Sequence, residues 1–466
     1  MTNTTASYRT ATVIASAVLA GELSPEAATA ASHQAIRATN GTINAVVDHD
    51  PSLSDAQIDV LVRRLQRGER PPLAGVPVLI KDHFHMKGWR ATQGSRLFAD
   101  FIATSDDLII ERLKAAGAII IGRSNMSEFG CKGVTTNLLY GPTRHPLDNR
   151  LTTGGSSGGA AAALATGYVP IALGSDGGGS ARRPVAHAGV VGFKPSGGVV
   201  ASAREVSQVG VPGPMARTVE DIRLFFQAIR GHDARDPFSV PPIPISVLPE
   251  HPRLAWSPRL GLGAPLDDDV TETLEHAVTV LRSSGFAITN ADPDWPEGAG
   301  EASLMPLQHA GLAARFGDIW RREPNLFDPD IAAQIEDGFS LTATDVARAT
   351  SMSTAVASTA ARFFAAGHDF LLTPTTPCVA WPFAQLGPTT IGGVCVPHRG
   401  HAVFTPLFNH AFCAAISLPA GVGRGGLPVG LQIVGPRFSD DALLALAARV
   451  EATFAAEGII AALPPE

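Results

Sequence analysis

The sequence predicts an α/β protein with a large mixed, mostly parallel-type sheet covered by helices on both faces. Two observations carry this expectation. Short apolar strand runs alternate with capped helical runs along most of the chain. In addition, 45% of the 466 residues are hydrophobic and only 17% are charged, enough to bury a sizeable core and too apolar for disorder.

Taken in order, the first 65 residues read as helices. Ser24 is an N-cap with Pro25 at the first helical position, and Ser54-Asp55 opens a run that ends at Arg63-Arg64. From Leu73 the texture changes. Val76-Pro-Val-Leu-Ile80 is a buried strand ending on Lys81-Asp82. Ser105 is expected to cap a helix with Asp106, Asp107 and Glu111 in its first turns, stopped by Gly117. A strand follows over 118–121, an Ala-rich helix over 157–166 and a strand over 169–173. Farther on come a helix over 267–284, a strand over 286–289, mainly helical sequence from 300 to 368, and a strand over 368–373. Strands at 414–418 and 427–434 and a helix capped by Ser439 complete the chain. No internal repeat or low-complexity linker divides it, so residues 1–466 read as a single domain.

Composition also limits function. A formal charge of −7 gives no electrostatic case for nucleic acid. Cys131, Cys378, Cys395 and Cys413 fall in no metal-binding spacing and read as reduced thiols. No apolar run reaches the length of a membrane span. Thr10 to Ala20 is apolar enough for a short signal-peptide core, and Ala15-Ser16-Ala17 fits a cleavage pattern. Only Arg9 precedes it, however, and the Ser24-Pro25-Glu26 helix start follows at once. The expected location is cytoplasmic.

The densest chemical signal is Gly154-Gly-Ser156-Ser157-Gly-Gly159, followed 24 residues on by Ser180 within Gly174-Ser-Asp176-Gly-Gly-Gly-Ser180-Ala-Arg182. Glycines free backbone N–H groups to converge on an oxyanion, and a helix starting just after Ser156 adds its positive end. Gly-Ser runs are usually flexible linkers. These two instead abut buried segments, which favours a site. Ser180, after three glycines, is placed as an accessible nucleophile and needs a base. Lys81 ends an apolar strand, where burial favours the neutral, proton-accepting amine. The bland alternative is a strand-end lysine reaching water.

Several ordered segments now converge. They are Gly75 to Asp82, Gly122 to Gly130, Gly154 to Pro195, Thr373 to Pro377, Phe408-Asn409 and Gly426 to Gly435. Together the chain resembles the amidase signature family over most of its length, most weakly at 235–370. The resemblance implies the amidase signature fold, with a catalytic signature core at 73–230. It also implies a variable, substrate-shaping region at 235–400 and completing strands and helix at 401–466. It implies a Ser–cisSer–Lys triad of Ser180, Ser156 and Lys81, with a cis Gly155–Ser156 peptide bond. Backbone N–H groups of Gly177, Gly178, Gly179 and Ser180 would form the oxyanion hole. Asp176, Arg182 and Ser157 would support the site, and Gly130 and Cys131 are candidate substrate contacts. The implied reaction is hydrolysis of a small carboxylic amide through a serine acyl-enzyme, with no cofactor and no metal. The implied partner is a small-molecule amide, and a homodimer is common in the family. The glutamine-hydrolysing component of a tRNA-dependent amidotransferase shares the signature and stays open, as do hydrazide, ester and carbamate substrates.

The chain departs from the family pattern at Gly177, where a larger residue is frequent, and at His83, His85 and His187-Ala188. These leave the triad intact and bear on substrate. Phe404, Phe408, Trp381 and Phe383 are candidates for an apolar pocket wall, within specificity segments at 126–140 and 300–410. Other readings fit less well. His83-Phe-His85 looks like a metal-barrel pair, but His145, His187 and His232 follow no convincing strand. The G-x-S-x-G pattern at Ser156 and Ser157 lacks the preceding apolar strand of a nucleophile elbow. Gly421 to Gly426 matches a dinucleotide fingerprint but joins strand to strand, as a hairpin does. A binding protein that kept the fold would not need Lys81, Ser156 and Ser180.

Overall fold

The computed structural model describes residues 10–202 and 209–461. The remaining parts of the expected single domain, 1–9, 203–208 and 462–466, lie outside the described residues. The N-terminal half runs α1 (Ala11–Ala20), α2 (Pro25–Ile43), β1 (Val46–Asp48), α3 (Ser52–Gln66), β2 (Pro77–Lys81), α4 (Leu108–Ala115) and β3 (Ile119–Ser124). It continues through α5 (Gly158–Ala165), β4 (Ile171–Asp176), α6 (Arg182–Ala188), β5 (Val191–Lys194), β6 (Val211–Ala216) and α7 (Val219–Ile229). The second half holds β7 (Arg253–Trp256), α8 (Asp268–Ser283), β8 (Ala287–Asn290), α9 (Glu301–Arg322), α10 (Pro329–Ser340), α11 (Ala343–Ala365) and β9 (Phe370–Pro374). A small hairpin of β10 (Thr390–Ile391) and β11 (Val394–Cys395) precedes α12 (Pro406–His410), β12 (Ala414–Val422), β13 (Pro428–Gly435) and α13 (Asp440–Ala456).

Eleven strands form one mixed sheet in the order β1-β3-β2-β4-β6-β5-β12-β13-β9-β7-β8. Parallel pairing joins β3, β2 and β4 on one side and β9, β7 and β8 on the other. The middle, from β4 to β9, is antiparallel. Side chains that alternate along a strand enter different cores, because successive Cβ atoms point to opposite faces. Thus Val78 and Ile80 of β2 join the larger core, while Leu79 joins the smaller one with α5. Both faces are covered by helices, as the apolar strand runs imply.

Several boundaries differ from the sequence expectation. α3 starts at Ser52, where Asp50 accepts from both the backbone and the hydroxyl of Ser52. Asp107, not Ser105, precedes α4. The carboxylates of Asp106 and Asp107 accept from Lys87 N and His85 N, which holds that stretch to the loop after β2 and delays the helix. β4 starts two residues and ends three residues later than expected. β1 interrupts the N-terminal helices because Asn40 holds the turn, its amide bonded to the backbone of Ala45 and Val46. Ser24 caps α2 as expected, and Gly421 to Gly426 is the β12–β13 hairpin. All four cysteines are free thiols. Among the described residues no helix is long and apolar enough to cross a membrane.

Candidate active site

The site forms where β2, β4 and the start of α5 meet. Lys81 is the last residue of β2 and is fully buried, on the same strand face as Leu79 and hence on the α5 side. α5 lies close because its first turns carry almost no side chain. A Cβ on Gly159 would sit 2.5 Å from the Asn125 backbone. The Gly-Ser run before α5 therefore serves close packing, and it delivers Ser156 to the end of β2. The Gly155–Ser156 peptide bond is cis. Lys81 Nζ donates to Ser156 Oγ at 2.7 Å and to Ser175 Oγ at 3.0 Å.

Ser180 ends the glycine run after β4 and is nearly buried, at 6% exposure. The Ser157 N–H donates to the Ser180 carbonyl oxygen (3.2 Å), tying the two loops together. The Ser157 hydroxyl donates to the Ser175 carbonyl oxygen (3.3 Å). Asp176 organises the glycine loop. Its carboxylate accepts the Gly179 N–H at 2.7 Å and forms a two-pronged ion pair with Arg182, at 2.9 Å on each prong. Burial alone would raise the Asp176 pKa. The Arg182 charge and hydrogen bonds from Arg182 and Asn409 outweigh it and hold the carboxyl well below its usual range. Arg182 donates onward to Gln432 Oε1 and Asn409 Oδ1, both at 2.6 Å. Of the four expected oxyanion donors, the Gly179 N–H is thus already engaged. Gly179 is needed for its shape instead: its φ is +114° and a Cβ would collide with Thr405.

Ser156, Ser175, Gly177, Gly178 and Ser180 open onto one cavity of about 890 Å³. Gly130 and Cys131 line it as well. A Cβ on Gly130 would come within 3.4 Å of Ser156 Oγ, so this glycine keeps the space over Ser156 clear. Burial pushes the Cys131 thiol up to about 12, which leaves it an inert wall group.

A family model described as Amidase matches residues 27–444. An acylamidase of Rhodococcus erythropolis is 34% identical over 464 residues, covering 97% of each chain. The A-type subunit of the glutamyl-tRNA(Gln) amidotransferase from Cupriavidus taiwanensis is 31% identical over 452 residues, covering 86% of this chain and 88% of that protein. The crystal structure of a bacterial aryl acylamidase of the amidase signature family superposes with a TM-score of 0.88. It is 26% identical and covers 96% of both chains. This chain belongs to the amidase family.

Within that family frame, the pocket wall differs from the sequence expectation. Phe404, Phe408 and Trp381 are buried in the protein's cores, and Phe383 packs under the Arg144 guanidinium. None of the four lines the cavity. The apolar wall is built by Phe98, Phe101, Phe129, Leu312 and Phe316, with Phe129 stacked on Phe316 at 4.1 Å between ring centres. Segments 126–140 and 300–410 do contribute, and so does the loop after β2, which the sequence does not single out as a wall. His83 and His85 lie on that loop and face the cavity. Burial holds His83 well below its ordinary pKa, so it is a neutral group there. His187 lies outside the cavity, beneath Gly154. Among the described residues no three His, Cys, Asp or Glu side chains are grouped as a metal site would need. The sequence reading missed Ser175, a second acceptor for Lys81, and gave no role to Asn409 and Gln432. All three lie inside the quoted motifs, yet only the fold turns them toward Lys81 and Arg182.

Proposed function

We propose that this amidase-family protein hydrolyses small carboxylic amides through a serine acyl-enzyme, releasing an acid and ammonia or an amine. The carrying observation is the 2.7 Å contact of the buried Lys81 Nζ with Ser156 Oγ, in a loop tied to Ser180 and open to one cavity. In this reading neutral Lys81 accepts the Ser156 hydroxyl proton while Ser156 accepts that of Ser180, whose Oγ attacks the amide carbonyl. The N–H groups of Gly177, Gly178 and Ser180 receive the oxyanion, and Asp176, through Gly179 and Arg182, holds the loop that presents them. Ser156 then passes a proton to the leaving nitrogen, and water resolves the acyl-enzyme by the reverse relay. No metal or organic cofactor takes part in these steps. The reading includes a cytoplasmic enzyme without a nucleic-acid partner, in keeping with the −7 charge, and allows a homodimer.

A second reading, the glutamine-hydrolysing component of a tRNA-dependent amidotransferase, is favoured by the Cupriavidus relative. The histidines facing the cavity and its aromatic wall favour a stand-alone hydrolase of amides that carry an apolar group. Ammonia or amine release from a panel of aryl and alkyl amides and glutamine, with Ser180→Ala alongside, separates them. Turnover of simple amides by the wild type, lost by about a thousandfold or more in Ser180→Ala, is the expected result. Turnover of glutamine alone would instead establish the amidotransferase reading.

A further inference from the structure

The cavity carries more positive charge than its own carboxylates balance. Lys132, Arg183, Arg315 and Arg399 line it, against Asp107 and Glu301. Lys132 is ion-paired to Asp328 and Arg399 to Glu301. Arg315 is exposed and lies over the Phe316 ring, 5.0 Å from its centre. The Asp107 carboxylate accepts from the His85 backbone.

Arg183 is different. It follows Ser180 by three residues and is only 3% exposed. The sole side chain it meets in a hydrogen bond among the described residues is His401, whose Nδ1 lies 3.3 Å from Nη1. Burial and the Arg183 charge keep that imidazole neutral, so it offers no compensating charge. Arg183 Nε is buried with no partner. Among the described residues no carboxylate lies within ion-pair distance of this guanidinium, and Glu301, the carboxylate whose charge acts on it most, is bonded to Arg399 instead. The adjacent Asp176 and Arg182 neutralise each other. A buried guanidinium without an anion is costly, and its planar N–H fork matches a carboxylate.

We propose that the amide taken by this site carries a carboxylate, and that Arg183 is the residue that binds it. The inference rests on the amide-hydrolase reading above and narrows it. Glu301-paired Arg399, which also leaves a buried Nε unpartnered, adds to the attraction at the same cavity. The apolar wall then receives the uncharged part of the substrate.

The test uses binding in the Ser180→Ala protein, which removes turnover from the measurement. Calorimetry compares two pairs of compounds. Glutaric acid mono-4-nitroanilide against pentanoic acid 4-nitroanilide places the carboxylate on the acyl side. N-pentanoyl-4-aminobenzoate against N-pentanoylaniline places it on the amine side. The carboxylate member of one pair should bind at least about tenfold more tightly, the effect of a charge-assisted hydrogen bond. Adding Arg183→Met should erase that preference, and Arg183→Lys should keep part of it. Equal binding within both pairs, no binding of either carboxylate compound, or a preference that survives Arg183→Met overturns the inference. Should Arg183→Met fail to fold by thermal melting, the Arg183→Lys comparison and the pairwise preference decide. Wild-type turnover of the same anilides is read separately. Its absence alongside carboxylate binding would reject amide hydrolysis, whereas turnover without carboxylate preference would reject only the role of Arg183.

Discussion

His187 lies beneath Gly154 with both ring nitrogens unpartnered and its ring edge-on to Trp381. Burial, with smaller contributions from His145 and Arg183, lowers its pKa to about 3. In the unfolded chain the imidazole takes up a proton below about pH 6.5, while the buried ring does not. The unfolded state therefore gains as pH falls from 6.5 toward 3, and His187 costs stability over that window. Replacing it with leucine should stabilise the protein by about 2 kcal/mol more at pH 5 than at pH 8. Urea unfolding of His187→Leu and wild type at both pH values measures the difference, and an equal effect at both would refute it. The sequence marks His187 as a departure from the family pattern but cannot say that it is sealed. The adjacent arginines show the same limit. Arg182 and Arg183 are the same residue type and the sequence gives a role only to the first, yet the turn into α6 sends one to Asp176 and the other to the cavity.

At the scale of elements, the Asp176–Arg182 pair links the end of β4, the start of α6, α12 through Asn409 and β13 through Gln432. Removing one member leaves the other charge buried and unpaired, so Arg182→Met should cost about 3 to 5 kcal/mol. Asp176→Asn with Arg182→Met should cost less than the sum of the two single changes, because neither charge is then stranded. A double-mutant cycle by chemical denaturation measures this coupling, and strict additivity would argue that the pair does not organise the loop. The elements themselves were largely visible in sequence. Ser24 before Pro25 and Gly117 after Ala115 are local signals, and local signals decide helix ends. What escaped was set by distant partners. The start of α4 is delayed by bonds to the loop after β2, and β1 exists because Asn40 folds the chain back and β3 offers it an edge.

Across the whole molecule, the cavity draws on parts far apart in sequence, which is why its serine- and glycine-lined side was legible and its wall was not. Lys81, Ser156 and Ser180 sit at strand and helix ends whose residue types betray them. The aromatic wall arises where α9 and α10 settle on the loop carrying Phe129, a packing that no short-range pattern encodes. Leu312, Phe316, Phe327, Ile331 and Ile335 form a satellite core there, joined by Phe98, Phe129 and Cys131. Phe316 is 3% exposed and stacks on Phe129 with its ring nearly parallel, at 14°. It therefore serves both the satellite core and the pocket. Phe316→Ala should lower stability by about 3 to 5 kcal/mol if the space stays empty. It should also raise KM for aryl amides by about tenfold, from the loss of roughly 1 to 1.5 kcal/mol of ring contact. The smallest alkyl amides have little apolar area to bury against the ring, so their KM should change much less. Steady-state kinetics across an acyl-size series, with thermal melting alongside, separates the two roles. A uniform loss for all amides would mean that Phe316 supports the catalytic loop rather than the substrate. A rise in KM confined to the aryl members would mean that the helical layer added by α9 and α10 sets what the strand ends carrying Lys81 and Ser180 are allowed to cleave.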